Sequence, residues 1–110
     1  MDYDAILSRK LDTLFPDADT RAVVKGVLDS YGMSSHEREL ARTRLAILKV
    51  AGADPDRIEQ TTALVRQDYR DILMMAEYPR QAQAGVLPDG PAKTALVEAD
   101  RAEYLAWLEW

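Results

Sequence analysis

Apolar residues recur along this chain at spacings of three and four, and no strand-like alternation interrupts them. The clearest such stretch runs from Asp54 to Pro79. Ile58, Thr62, Val65, Tyr69, Ile72 and Ala76 fall on one helical face. Leu64, Leu73, Met74 and Met75 widen the apolar surface beyond that seam. Asp54 suits an N-cap, because its carboxylate accepts from the free amides of a first turn. Pro55 suits the first helical position, where a missing N–H costs nothing. Pro79 stops or kinks the helix and biases Tyr78 toward extended backbone. The pattern therefore predicts one long helix over Asp54–Tyr78, the centre of a helical bundle.

The remaining elements follow from the same periodicity. A first helix over Asp2–Phe15 has Tyr3, Ile6, Leu7, Leu11 and Leu14 inward, with Asp4, Ser8, Arg9 and Asp12 outward. Phe15-Pro16-Asp17 breaks it. A second helix, from about Ala18 to Tyr31, is capped by Asp17 or Asp19 and buries Val23, Val24, Val27, Leu28 and Tyr31. Gly26 inside it costs about 1 kcal/mol against Ala, which implies a close crossing with another helix. Gly32 suits a left-handed stop. A third helix spans about Ser35–Ala51, with Ser34 and Glu37 as a capping box. Its inner face is Leu40, Ala41, Leu45, Ile47, Leu48 and Val50, while Arg38, Arg42 and Lys49 lie on another. The short Ala53–Asp54 link makes it an antiparallel neighbour of the central helix. After Pro79, RQAQAGVLPDGP reads as a loop that includes one helical turn, able to close over the central helix through Val86 and Leu87. A last helix from about Pro91 to Leu108 carries Leu96, Ala99, Ala102, Tyr104, Leu105, Trp107 and Leu108. The fold class is all-α: a single-domain bundle of about five helices.

Composition agrees with this. A chain of 110 residues suits one domain. Hydrophobic residues make up 47% and charged residues 30% of it, which is globular rather than disordered. With one Phe and two Trp, the core must come mainly from Leu, Ile, Val and Ala. The absence of cysteine removes disulfides, thiolate nucleophiles and thiolate metal sites together. The N-terminus, MDYDAILSRK, is acidic and has no apolar run of the signal-peptide kind. No stretch approaches the roughly 18 apolar residues of a membrane span. The expectation is a cytoplasmic protein away from membranes.

Net charge is −5, which disfavours binding to nucleic-acid phosphates. Residues 32–52 hold four basic and two acidic residues, and residues 81–110 hold two basic and five acidic. A basic third helix lying beside an acidic last helix is one arrangement of these charges. Helix-turn-helix DNA binding by the third and fourth helices gains from the basic third helix. It is opposed by the acid-rich fourth helix and the net charge.

Catalytic equipment is sparse. His36 is the only histidine, and His36 with Glu39 has the spacing of a helical metal pair. A carboxylate-bridged di-metal bundle needs a second such motif, so no metal or cofactor is assigned. No serine stands in a nucleophile turn and no glycine-rich phosphate loop is present. The best polar constellation is Arg66, Asp68, Tyr69, Arg70, Asp71, Glu77 and Tyr78. Its spacings fit a surface ladder of ion pairs worth a few tenths of a kcal/mol each. The ladder is the leading reading; the second is a binding patch in which Arg66 and Arg70 grip a carboxylate or phosphate beside Tyr69 or Tyr78, with Asp71 and Glu77 among its ligand-binding residues. Paired catalytic carboxylates at Asp68 and Asp71 lack a partner. The Met and Tyr residues between Tyr69 and Tyr78 suit core filling or the lining of a pocket or partner groove. Trp107 and Trp110 either pack back on the bundle or form a dimer seam, where aromatic residues are enriched.

The run Gln67-Asp68-Tyr69-Arg70-Asp71-Ile72-Leu73, followed by Ala76-Glu77-Tyr78-Pro79, resembles a pattern of small bacterial helical proteins to which no activity is attached. Leu45-Ala46-Ile47-Leu48-Lys49 is similar too, so the resemblance covers roughly residues 40–110. It implies a bacterial source and a single helical domain, and no activity. The leading functional expectation is a non-enzymatic module acting through protein contacts, with a homodimer among its forms. The alternative is a module for a small anionic ligand, or an enzyme, using a pocket near Tyr69, Arg70 and Tyr78.

Overall fold

The computed structural model describes residues 2–33, 37 and 39–109. Among these residues it contains seven helices and no strand: α1 (Tyr3–Leu14), α2 (Ala18–Asp29), α3 (Leu40–Ala51), α4 (Pro55–Val65), α5 (Tyr69–Glu77), α6 (Pro79–Ala84) and α7 (Pro91–Glu109). Aspartates start four of them. Asp2 accepts from the Ala5 amide at 3.1 Å and Asp17 from Thr20 at 2.8 Å. Asp54 accepts from Asp56 and Arg57 at 3.0 and 3.4 Å, and Asp68 from Arg70 at 3.0 Å. Each side chain satisfies amides that a first turn leaves without an intrahelical acceptor.

Two corrections concern the centre of the bundle. The long helix expected over Asp54–Tyr78 is two helices, so the count rises above five. The chain leaves the helix at Arg66 and restarts behind Asp68. Arg66, Gln67 and Asp68 are exposed, so no burial holds that turn in register. The Asp68 carboxylate gains more by capping than by sitting mid-helix. The apolar face nevertheless continues across the break, because Ile58, Thr62 and Val65 on α4 and Ile72 and Ala76 on α5 are all buried. The middle of the fold is α3. Leu45, Ala46, Ile47 and Leu48 are consecutive and wholly buried, the mark of a helix covered on all sides. It packs against α1, α4 and α5.

Other expectations shift in detail. The third helix begins at Leu40, behind Glu39 in left-handed backbone at φ 54°. The proposed box partner Ser34, and with it His36, lies outside the described residues. The Glu37 carboxylate accepts from the Gly32 amide. Gly26 marks no close crossing: a Cβ there would meet nothing within 4 Å. Val23, assigned to the buried stripe of α2, is exposed. Pro79 starts α6 directly after α5, with Tyr78 ending one helix and opening the next. Val86 covers nothing and stands fully in solvent, and Leu87 is half-buried.

The last helix is tied to the rest at its middle and at its C-terminal end. Asp100, wholly buried on α7, accepts from the Arg80 and Gln81 amides at 3.1 Å each. It thereby caps α6 from another helix. The Arg9 guanidinium of α1 donates to the Leu108 carbonyl and, at 3.1 Å, to that of Glu109. The basic third and acidic last helices share an ion pair, Lys49 Nζ lying 3.4 Å from Glu103. Among the described residues no helix is long and apolar enough to cross a membrane.

Candidate functional site

The cleft that combines chemistry with shape lies where α7 faces the start of α1, the start of α3 and the end of α5. Its volume is about 420 Å3, within the range of small-molecule sites. Tyr3 comes from α1, Arg42 from α3, Glu77 and Tyr78 from the end of α5, and Arg101 and Tyr104 from α7. Val97 and Leu105, both exposed, form its apolar rim.

Its floor is an ion pair. Glu77 follows Leu73 and Ala76 on the buried face of α5, so its carboxylate must be met inside the protein. Arg42 meets it with two nitrogens of one guanidinium edge, Nε donating to Oε2 at 2.8 Å and Nη2 to Oε1 at 2.5 Å. Glu39 adds a longer contact, 3.9 Å from Arg42 Nη1. These hydrogen bonds hold Arg42 charged even more firmly than usual, against the opposing effect of its burial. Arg42 was expected on an outward face of the third helix. It lies there, but turns inward to Glu77.

Tyr104 is the exception to good pairing. Its ring stacks on Trp107, with centroids 6.1 Å apart and planes 8° from parallel. Its hydroxyl is buried and finds no hydrogen-bond partner among the described residues. Burial first, and the neighbouring Glu77 carboxylate second, push its pKa well above the ordinary tyrosine value, so it stays protonated. Arg101 nearby is exposed and makes no ion pair with a described residue.

The sequence-derived patch divides along α5. Glu77 and Tyr78 reach the cleft. Tyr69 is half-buried against the core at the other end of the helix, roughly 12 Å away at about 1.5 Å per residue. Arg70 is exposed and spans back to Asp68, at 3.2 and 3.3 Å. Asp71 is exposed beside it. Arg66 ends α4, with Nε 3.5 Å from Glu37 Oε1. Arg66 and Arg70 therefore stand on either side of the turn between α4 and α5, each facing a carboxylate of its own. Trp107 is half-buried, its ring 4.4 Å from the buried Lys10 ammonium. Burial, with Arg9 beside it, draws the Lys10 pKa below its ordinary value. Trp110 lies outside the described residues.

Tyr3, Arg42, Arg101 and Tyr104 were missed as site residues. One signal pointed toward them: a glutamate at position 77, four residues after Leu73, on an otherwise apolar face. A larger hollow of about 540 Å3 lies between α1 and α2, but its basic side chains are engaged within the fold. Arg21 pairs with Asp12 at 3.3 Å, Lys25 with Asp29 at 3.0 Å, and Arg44 donates to the Leu28 and Tyr31 carbonyls. No group of three or more metal-binding side chains occurs among the described residues. No protein-family model matches the chain, and no curated protein or solved structure matches it.

Proposed function

We propose that the chain is a small-molecule-binding module and that the cleft beside α7 is its site. The observation that carries this reading is the unpaired, buried hydroxyl of Tyr104. A buried donor without an acceptor costs the fold about 1–3 kcal/mol. Phenylalanine would pack the same ring without that cost, so folding alone gives no reason for the hydroxyl. Features that weaken a fold gather where a site uses them. Binding is favoured over turnover because both oxygens of Glu77, the buried carboxylate of the cleft, are committed to Arg42. The lack of cysteine fits a reducing compartment, and the reading places the protein in the cytoplasm. The D-Y-R-D and A-E-Y-P resemblance would make its source bacterial.

The test is Tyr104→Phe. Urea unfolding is expected to give a stability equal to the wild type or about 1 kcal/mol higher. Native mass spectrometry of gently purified protein is expected to show a small adduct on the wild type that the variant lacks. A variant destabilised by more than about 1 kcal/mol would make the hydroxyl a structural group and remove the ground for the proposal.

A protein-contact reading rests on a separate observation. Leu64, Met74 and Met75 are exposed on neighbouring helices α4 and α5, and methionine-bearing surfaces adapt readily to partners. The same mass spectra address it: a dimer lost in Met75→Glu would support it, and a monomer at all concentrations would oppose a homodimer.

A further inference from the structure

The charges of the cleft indicate what kind of molecule fits it. Glu39, Arg42, Glu77 and Arg101 all line it, two acids and two bases. An anion placed against Tyr104 would stand beside Glu77, with Glu39 also near. A cation there would face Arg42 and Arg101, and would draw Glu77 away from a two-point hydrogen bond. Separating a buried pair of that kind strands a charge in the interior. An uncharged acceptor meets neither penalty and leaves Arg42 and Glu77 joined. The donor is constant, because Tyr104 stays protonated.

Tyr78 lines the same cleft as that donor. The Tyr104 hydroxyl is closed to water, while the Tyr78 side chain beside it is exposed. Tyr78 makes no side-chain hydrogen bond with a described residue, so its ring can change rotamer at little cost. Beyond it, Val97, Leu105 and Leu108 offer an apolar wall.

We propose that the ligand is an uncharged organic molecule bearing a carbonyl or amide oxygen, which accepts from Tyr104 Oη while its apolar body lies on Val97, Leu105 and Leu108. This departs from the anionic ligand that the arginines of α4 and α5 suggest in sequence. It rests on the cleft being a binding site at all.

Three probes of one shape separate these outcomes: benzamide, benzoate and benzylammonium, titrated into the labelled full chain and followed by NMR. Benzamide is expected to shift the Tyr78, Tyr104 and Leu105 signals with a Kd roughly tenfold lower than either charged probe. Tyr104→Phe is expected to weaken benzamide about tenfold, the worth of one neutral hydrogen bond. Leu105→Ala, at an exposed position, is expected to weaken it severalfold while leaving the spectrum folded. Benzoate or benzylammonium binding as tightly as benzamide would overturn the ligand class while leaving the cleft as a site. Unchanged benzamide binding by Tyr104→Phe would overturn the donor. No shift of cleft signals by any probe would overturn the binding-site reading itself.

Discussion

Gly26 and Gly32 are close in sequence and are expected to respond to alanine with opposite signs. Gly26 sits inside α2 with ordinary helical backbone, and an added Cβ meets nothing within 4 Å. Alanine there removes a flexible residue from a helix interior, so Gly26→Ala should stabilise the protein by about 0.5–1 kcal/mol. Gly32 has φ +116°, and its Cβ would lie 3.0 Å from both Arg44 Nη2 and a Leu40 methyl. Arg44 cannot easily yield, because that same Nη2 donates to the Tyr31 carbonyl at 2.6 Å. Gly32→Ala should therefore cost about 1–3 kcal/mol in strain. Urea unfolding of the two variants beside the wild type checks both. Destabilisation by Gly26→Ala would mean that the space beside Gly26 is not open. From sequence the two glycines could be told apart only in part: Gly32 was legible as a turn glycine, though α2 ends earlier, at Asp29 with Ser30 as its cap, whereas the open space at Gly26 is a tertiary fact.

At the scale of helices, capping accounts for both what was legible and what was not. Asp54-Pro55, Phe15-Pro16-Asp17 and the Gly90-Pro91 start of the last helix announce their boundaries locally, and the structure places helix ends there. The break at Asp68 was hidden because the apolar spacing runs through it unchanged, and periodicity records which face is buried rather than whether the axis is continuous. α6 was legible only as a single helical turn, because the group that caps it is distant in sequence. Tyr78 supplies no side-chain cap, and Asp100 does so from α7. Asp100 also accepts from the Arg80 guanidinium at 3.2 Å and the Gln81 side-chain amide at 3.1 Å. Its place between Leu96 and Tyr104 on an apolar stripe was the available hint. Asp100→Ala is expected to cost about 2–3 kcal/mol through these lost charge-assisted bonds. The loss should be local, with amide exchange quickening in α6 and the first half of α7 while α3 stays protected. Uniform quickening would show that α6 and α7 open only with the whole fold.

For the molecule as a whole, the bundle was legible in the 3–4 spacing, and the cleft was legible only through Glu77 and Tyr78. Its other members come from α1, α3 and α7, and no local pattern states which helices will converge. The same dispersed aspartates also set the response of the whole protein to acid. Burial raises the Asp100 pKa, but hydrogen bonds from Arg80 and Gln81 outweigh it, and the net shift is downward. Asp17 is lowered chiefly by its bonds to Thr20, and Asp68 by those from Arg70. In each case the folded state holds the carboxylate ionised to lower pH than the unfolded chain does. The unfolded chain then binds more protons as pH falls through about 3.9, so stability is full above that value and declines below it. Unfolding free energy measured at pH 7, 5, 4 and 3 is expected to be nearly level to pH 5 and to drop toward pH 3. Asp100→Asn removes one of these linked groups, so its curve should start lower and fall less steeply in the acid limb. Parallel curves for the two proteins would show that Asp100 carries no proton linkage. A rise in stability toward pH 3 would mean that repulsion among the acidic residues of this net-negative chain outweighs its capping carboxylates.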